Sequence, residues 1–409
     1  MVGRRAREDD RSRRASEAAL RTRGSGARAR AAGTFDEIAE GAPIVLFGAG
    51  GLGKRMALAL TELGTPPVAF ADNDPARAGT ELVGVPVLST ADALERYGSD
   101  AVFVVSIWRN PATERMCDRI DHLRQRGAKR VTSFVTLSWK YPDAFLPYYS
   151  MDLPHRVLEA RDDVFRAFEL LADEPSRAEF VTHLRLRLHV DFAGLPGPVA
   201  EPQYFASDIY RLRDDERFVD CGAYDGDTLR SLLRQVPDFR GRIAAFEPDA
   251  SNFARLQGWR DALRSPLRES IDVFRLGVGG KRERVSFSDG GGTGSAIGRG
   301  AVEIDVVALD DVLSEMRASM IKADVDGYEI DVLEGARRLI GAHAPILALS
   351  SYHVQDHLWR LPLMAAAMHP GYRLTLRGYG IDGWELVLYA VPEDRQVAVE
   401  TMRRHRQGV

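Results

Sequence analysis

The stretch Phe218–Leu229, Phe-Val-Asp-Cys-Gly-Ala-Tyr-Asp-Gly-Asp-Thr-Leu, constrains this chain more than any other segment. A short apolar run ends on an acid, breaks into glycines at 222 and 226, and then opens a segment of helical character. That order reads as a strand, a tight loop and a helix start. A residue without Cβ is needed where the backbone turns this sharply and comes close to a ligand. The helix that follows points free backbone N–H groups at whatever the loop holds, which favours a carboxylate or phosphate. Asp220, at the strand end, can accept from a cationic group. Donors beside a carboxylate suit a zwitterionic amino-acid moiety better than a pyrophosphate.

Ile243–Pro248 (Ile-Ala-Ala-Phe-Glu-Pro) reads as a second strand ending in an acid, where open α/β sheets hold ribose hydroxyls. Glu247 is the ribose candidate. Asp-x-Gly-x-x-x-Gly followed by a strand ending Glu-Pro resembles a class I S-adenosylmethionine (SAM) binding fold. The resemblance implies a cofactor set of Asp220, Gly222, Ala223, Gly226, Glu247 and Pro248.

At 409 residues the chain is long for one domain. Its formal net charge of −4 argues against nucleic-acid binding, and no apolar run is long enough to span a bilayer. No secretory leader is expected. Cys117 and Cys221 stand far apart, supporting neither a disulfide framework nor a zinc site, so a cytoplasmic setting is the expectation. Residues 1–33 carry ten arginines and almost no large apolar residue, and read as a disordered basic tail.

Strand and helix patterns alternate over residues 42–135. Ile44–Phe47 is a strand, Gly48-Ala-Gly-Gly-Leu-Gly53 a GxGxxG loop, and a helix runs on from Lys54. A second strand, Val68–Ala71, leads to Asp72; two more follow over 101–106 and 129–134. This is a small Rossmann-type domain. Gly48, Gly50, Gly53 and Asp72 are its candidate loop for a nucleotide or nucleotide sugar; the alternative is that the glycines serve only close helix–strand packing. The domain also resembles the small N-terminal Rossmann domain of bacterial sugar-modifying enzymes, through Phe70, Asp72, Asp74, Gly79, Val83, Gly84 and Val85-Pro-Val87. Sugar acyltransferases of that kind often carry a histidine in the glycine loop, where this chain has Gly51-Leu52. A helical connector is expected over 139–200.

Residues 202–395 form the catalytic candidate, with strands expected at 217–221, 242–246, 271–276, 320–324 and 346–350, closed by 372–377 and an antiparallel 385–390. Two further β-rich runs flank a glycine-rich loop at 289–294. The fourth strand ends Ile321-Lys-Ala-Asp-Val-Asp-Gly-Tyr-Glu329, which sets Asp324, Asp326 and Glu329 at the edge where open sheets bind ligands. Gly327 comes too early for a calcium loop; hydrogen-bonding or capping acids with no metal are the expectation, and a metal site is the alternative.

Residues from about 203 to 392 resemble the FkbM family of SAM-dependent methyltransferases. The similarity rests on Asp220-x-Gly-Ala-x-x-Gly226, Phe246-Glu-Pro248, Leu309-Asp-Asp-Val312, Ile321-Lys-x-Asp-x-x-Gly-x-Glu329, Val332-Leu-x-Gly-Ala336, Tyr352-His353 and Leu388-Tyr-Ala-Val-Pro392. Asp326 departs from it, standing where the family usually has Glu.

The resemblance implies methyl transfer from SAM to the oxygen of a sugar, glycan or secondary metabolite. Such a reaction requires in-line alignment of acceptor and methyl and removal of the acceptor's proton. His353 is the candidate base, because imidazole titrates near neutrality; the alternative is a structural histidine. Asp324 is the second candidate base, or contacts the methionine amino group. His357, Trp359 and Arg377 are candidates to line the acceptor pocket. Two rival functions stay open: an NAD-linked oxidoreductase acting through the N-terminal glycine loop, and a SAM-binding module without turnover.

Overall fold

The computed structural model describes Ile38 and residues 41–109, 113–287 and 302–397. The expected basic tail and the glycine-rich loop at 289–294 lie outside the described residues. The chain divides into two compact units. One takes the described residues to Arg161 together with Ala178–Pro198 and Gly380–Trp384; the other takes Asp162–Arg177, Val199–Tyr379 and the described residues from Glu385.

In the first unit, β1 (Ile44–Phe47), β2 (Ala69–Asp72), β3 (Glu81–Leu82), β4 (Val85–Ser89), β5 (Val102–Val105) and β6 (Arg130–Ser133) form a six-stranded sheet in the order β3-β4-β2-β1-β5-β6. All neighbours run parallel except β3 and β4. The fully buried β1 and β5 therefore read as unbroken apolar runs, Ile-Val-Leu-Phe and Val-Phe-Val-Val. β4 escapes a sequence reading because Gly84 and Pro86 carry breaker signals within and before it. Pro86 nonetheless pairs with Glu81 on the sheet's outer strand.

In the second unit, β7 (Arg217–Cys221), β8 (Arg242–Phe246), β9 (Ile271–Phe274), β13 (Met320–Ala323), β14 (Ile346–Ser350), β15 (Arg373–Gly378) and β16 (Leu386–Val391) form a seven-stranded sheet in the order β15-β16-β14-β13-β7-β8-β9. β14-β13-β7-β8-β9 are parallel; β16 is antiparallel to both of its neighbours. A separate three-stranded sheet joins β10 (Gly277–Val278), β12 (Val302–Val307) and β11 (Glu283–Phe287). Phe218, Ile243, Ile271, Met320, Ile346 and Tyr389 pack into one core cluster. Each large apolar side chain buried there contributes about 1.5–3 kcal/mol.

The helical region after Trp139 is divided between the units, Asp162–Arg177 going to the second and Ala178–Pro198 to the first. Residues 171–176 bind the edge of β15: the Ala172 amide donates to the Leu374 carbonyl and the Leu376 amide donates to Ser176 Oγ, both at 2.8 Å. An edge strand covered in this way presents fewer unpaired backbone groups. Among the described residues no helix is long and apolar enough to cross a membrane.

Candidate active site

The site begins where β7, β8 and β13 end, because parallel strands bring their C-terminal residues to one edge. Asp220 on β7 lies in register with Lys322 on β13. Both are buried, at 0% and 2% exposure, and the Lys322 ammonium stands 3.0 Å from Asp220 Oδ1. It also donates to the Gly222 carbonyl at 2.6 Å and lies over the Tyr204 ring. Burial raises the Asp220 carboxyl to about 6 against the pull of Lys322. Lys322, which burial alone would lower, is raised overall by Asp220 and Asp324. Both are charged at neutral pH. Asp220 thus faces the chain's own cation rather than open space.

Gly222 sits at φ +80°, and a Cβ there would fall 1.9 Å from the Asp324 carbonyl oxygen. The loop can close onto β13 only through glycine. The Gly222 and Ala223 amides donate to the Phe246 carbonyl, and the Tyr224 amide donates to Glu247 Oε2 at 2.8 Å. The loop uses these three amides to wrap the end of β8.

Glu247 accepts a second amide, from Asp249, at Oε1 (2.9 Å). Burial lifts its carboxyl to about 7, against those two amides and the Asn252 side chain. A carboxylate has about four lone-pair sites, so acceptor capacity is left for a ribose hydroxyl. Gly226, at φ +89°, caps the helix Asp227–Gln235, and Pro248 is half-buried beside Glu247. The donor and acceptor groups at this edge therefore fit a nucleoside cofactor through Glu247, while Asp220 acts on the loop from behind.

After β13 the chain turns through Asp326 (φ +50°) and Gly327 (φ +105°) into the helix Glu329–Gly335. That turn folds a carboxylate back beneath the histidines that follow β14. Glu329, fully buried, meets His353 Nδ1 at 2.7 Å through Oε1 and His357 Nδ1 at 3.1 Å through Oε2. Oε1 also accepts from the Val325 amide at 3.0 Å. His353 Nε2 faces Asp324 Oδ1 at 3.4 Å and Asp326 Oδ1 at 3.7 Å. Burial pushes His353 down, but Glu329, Asp324 and Asp326 together raise it to about 10. Glu329 would be raised by burial and is instead held well below the usual carboxylate range by the two imidazoles.

Asp324 receives the Tyr204 hydroxyl at Oδ2 (2.9 Å) and the Tyr352 hydroxyl at Oδ1 (3.3 Å). Tyr352 also lies 3.4 Å from Glu385, which accepts from Gln203. Asp324, Glu329 and His353 each offer an atom within 4.8 Å of the others, a spacing at which side chains can share a cation. In this structure Glu329 Oε1 and His353 Nδ1 are bound to each other.

The structure therefore brings Asp220, Gly222, Glu247, Asp324 and His353 to one edge of one unit. The Arg377 guanidinium binds Asp173 at 2.8 Å and Ser176 Oγ at 2.9 Å, anchoring the 162–177 segment. His357 is held by Glu329, and Trp359 is buried at 4% exposure. Sequence reasoning passed over Lys322, Tyr204 and Glu385. A lysine inside an otherwise apolar strand was the available signal, since a central parallel strand buries it and demands a partner. Tyr204 and Glu385 lie outside the strand-end pattern and gave none.

In the first unit, Gly48, Gly50 and Gly53 lie at the β1 edge. A Cβ on Gly53 would fall 2.0 Å from the Gly48 carbonyl oxygen, so this glycine serves close packing. Asp72 accepts the Ala49 amide at 2.7 Å and the Asp74 amide at 2.9 Å, and Arg77 donates to the Ala49 carbonyl. The acid is tied to its own loop.

Residues 220–380 match the family model described as the methyltransferase FkbM domain. The fold is that of a solved structure described as methyltransferase FkbM from Methylobacillus flagellatus KT, with a TM-score of 0.75, 23% identity, and coverage of 94% of this chain and 99% of that one. The protein is thus a mixed α/β chain with a Rossmann-like methyltransferase fold. Aeropyrum pernix fibrillarin in complex with natively bound S-adenosyl-L-methionine matches only at TM-score 0.27, with 13% identity over 44% of this chain and 69% of that one. The precorrin-6y C5,15-methyltransferase from Geobacter metallireducens GS-15 matches at TM-score 0.29, with 12% identity over 45% of this chain and 84% of that one. No curated protein matches the chain.

Proposed function

We propose, from the premise that residues 220–380 match the methyltransferase FkbM domain, that this protein transfers a methyl group from SAM to a hydroxyl of a sugar, glycan or secondary metabolite. The observation that carries this reading is Glu247. It is a buried carboxylate at the end of β8 whose two oxygens are fixed by the Tyr224 and Asp249 amides and still have acceptor capacity. In this role it holds the ribose. The Asp220–Lys322 pair keeps the glycine loop closed on β13 behind it.

SAM, when bound, supplies a methyl already activated on a sulfonium. What remains for the protein is to align an acceptor hydroxyl and to take its proton. Asp324 and Asp326 are the open members of the cluster, at 27% and 31% side-chain exposure, against 4% for His353 and 0% for Glu329. Acceptor therefore meets the two aspartates first. The buried His353–Glu329 pair stands behind them, with His353 Nε2 facing both carboxylates.

The test is to incubate the full chain with methyl-labelled SAM and a panel of methyl glycosides and hydroxylated aglycones. The expected result is S-adenosylhomocysteine together with an acceptor carrying one labelled O-methyl group. Absence of any binding of SAM or S-adenosylhomocysteine contradicts the reading. Binding with no transfer to any hydroxyl favours the non-catalytic module.

A further inference from the structure

We infer that Asp326, rather than His353, takes the proton from the acceptor hydroxyl, and that His353 is the fixed cation that positions it. The inference rests on the methyl-transfer reading above and adds to it the identity of the base.

Three groups at this edge compete for the task, and their hydrogen bonds separate them. Asp324 already receives the Tyr204 hydroxyl at 2.9 Å and the Tyr352 hydroxyl at 3.3 Å, with His353 Nε2 at 3.4 Å. Those three donors already occupy most of the lone-pair sites of Asp324. Both ring nitrogens of His353 face carboxylates, and with its titration raised to about 10 it carries both protons at neutral pH. It has no lone pair to offer. Among the described residues, no hydrogen-bond donor reaches the Asp326 carboxylate; its nearest charged neighbour is His353 Nε2, at 3.7 Å. About a third of the side chain remains open.

The surroundings of Asp326 suit a base. Burial raises its carboxyl to about 7, opposed by His353 and reinforced by the charges of Asp324, Glu329 and Glu247. A carboxyl titrating near the working pH combines an ionised state with real proton affinity. The left-handed backbone at Asp326, φ +50°, is one that Asp and Asn tolerate better than most side chains. In the reaction, the hydroxyl oxygen bonds to the methyl carbon and the carbon–sulfur bond breaks, leaving its electron pair on sulfur. The hydroxyl proton passes to the Asp326 carboxylate, which then releases it to water.

The experiment has one arm without acceptor and one with it, each on the full chain. In S-adenosylhomocysteine-loaded protein labelled with 13C at aspartate carboxyls, one resonance should titrate near pH 7 and be missing from D326N. With the best methyl glycoside of the panel, D326N should lower kcat/KM by about 10²- to 10⁴-fold, leave S-adenosylhomocysteine affinity unchanged and abolish the acid limb of the pH profile. D326E should keep that limb, and formate should partly restore D326A. H353Q should lower the rate yet keep an acid limb. An Asp326 resonance that titrates below about pH 5, in the ordinary aspartate range, overturns the inference. So does a D326N protein that keeps its acid limb while H353Q loses it. Loss of S-adenosylhomocysteine binding by the native protein would instead overturn the methyl-transfer reading itself.

Discussion

Glu329 Oε1 and His353 Nδ1 meet at 2.7 Å with both side chains buried, and the other oxygen of Glu329 reaches His357 Nδ1 at 3.1 Å. One carboxylate from the turn after β13 thus ties down two imidazoles from the segment after β14. A buried carboxylate can persist in this setting only with such partners.

This pair makes stability depend on pH. The folded-state pKa of His353, about 10, stands above the unfolded value of about 6.5. Its stabilisation is therefore complete below about pH 6.5 and is lost as pH rises toward about 10. Urea unfolding at pH 6, 8 and 9.5 (round values bracketing that window, ~6.5 to ~10) should show falling stability in the native protein and a flatter profile in H353Q. E329Q should cost roughly 3–5 kcal/mol, because two buried imidazoles lose their carboxylate. An equally steep profile in H353Q would show that another group carries the effect.

Lys322 and Asp220 make a second buried pair, on neighbouring strands. K322M leaves a carboxylate with no exposure facing no cation, and should destabilise by about 3–5 kcal/mol. The double variant D220N/K322M should lose less than the sum of the single variants, since neither partner is then stranded. Additive losses in chemical denaturation would mean that the two charges do not act together.

Arg377 anchors Asp173, whose carboxyl burial would raise but which Arg377 and Ser176 bring below its ordinary value. A depressed folded pKa gives stability that is present above the unfolded value, about 3.9, and lost as pH falls through the folded value. R377M should cost roughly 2–3 kcal/mol at pH 7, by loss of charge-assisted hydrogen bonds. It should also move acid unfolding to higher pH. Circular dichroism against pH in the two proteins measures this directly.

The second unit was readable because its strands are short apolar runs with an acid at or next to their ends: Arg217–Cys221, Arg242–Phe246 and Met320–Ala323 appear where the sequence puts them. Periodicity and strand-end acids are local signals. Partnerships across long separations are not. Nothing near Arg377 announces Asp173, and nothing near Lys322 announces that Asp220 takes its charge. β4 was hidden by Pro86, since a breaker is tolerated where it falls beside an outer strand. The proton count on His353 was equally out of reach, because it depends on three carboxylates converging in space. A histidine read alone suggests a base; its position between Glu329, Asp324 and Asp326 is visible only in space.

Gly222 offers a sharper local test. Its positive φ, and the 1.9 Å that would separate an added Cβ from the Asp324 carbonyl oxygen, leave no room for G222A. Left-handed strain alone costs about 1–3 kcal/mol, and displacement of the β13 end adds to it. Thermal unfolding should record the loss, and S-adenosylhomocysteine affinity should fall with it. A variant as stable as the native chain would show that the loop and β13 do not pack as described.

The most direct test of the central claim is a thermal-shift measurement of the full chain with S-adenosylhomocysteine, repeated with E247A. At about a hundred times its dissociation constant the ligand should stabilise the native protein by roughly 2.7 kcal/mol, a shift of several degrees. E247A should lose most of that shift while remaining folded. No shift in the native protein, or an equal shift in E247A, would contradict the account of a nucleoside cofactor held by Glu247 at the edge of this sheet.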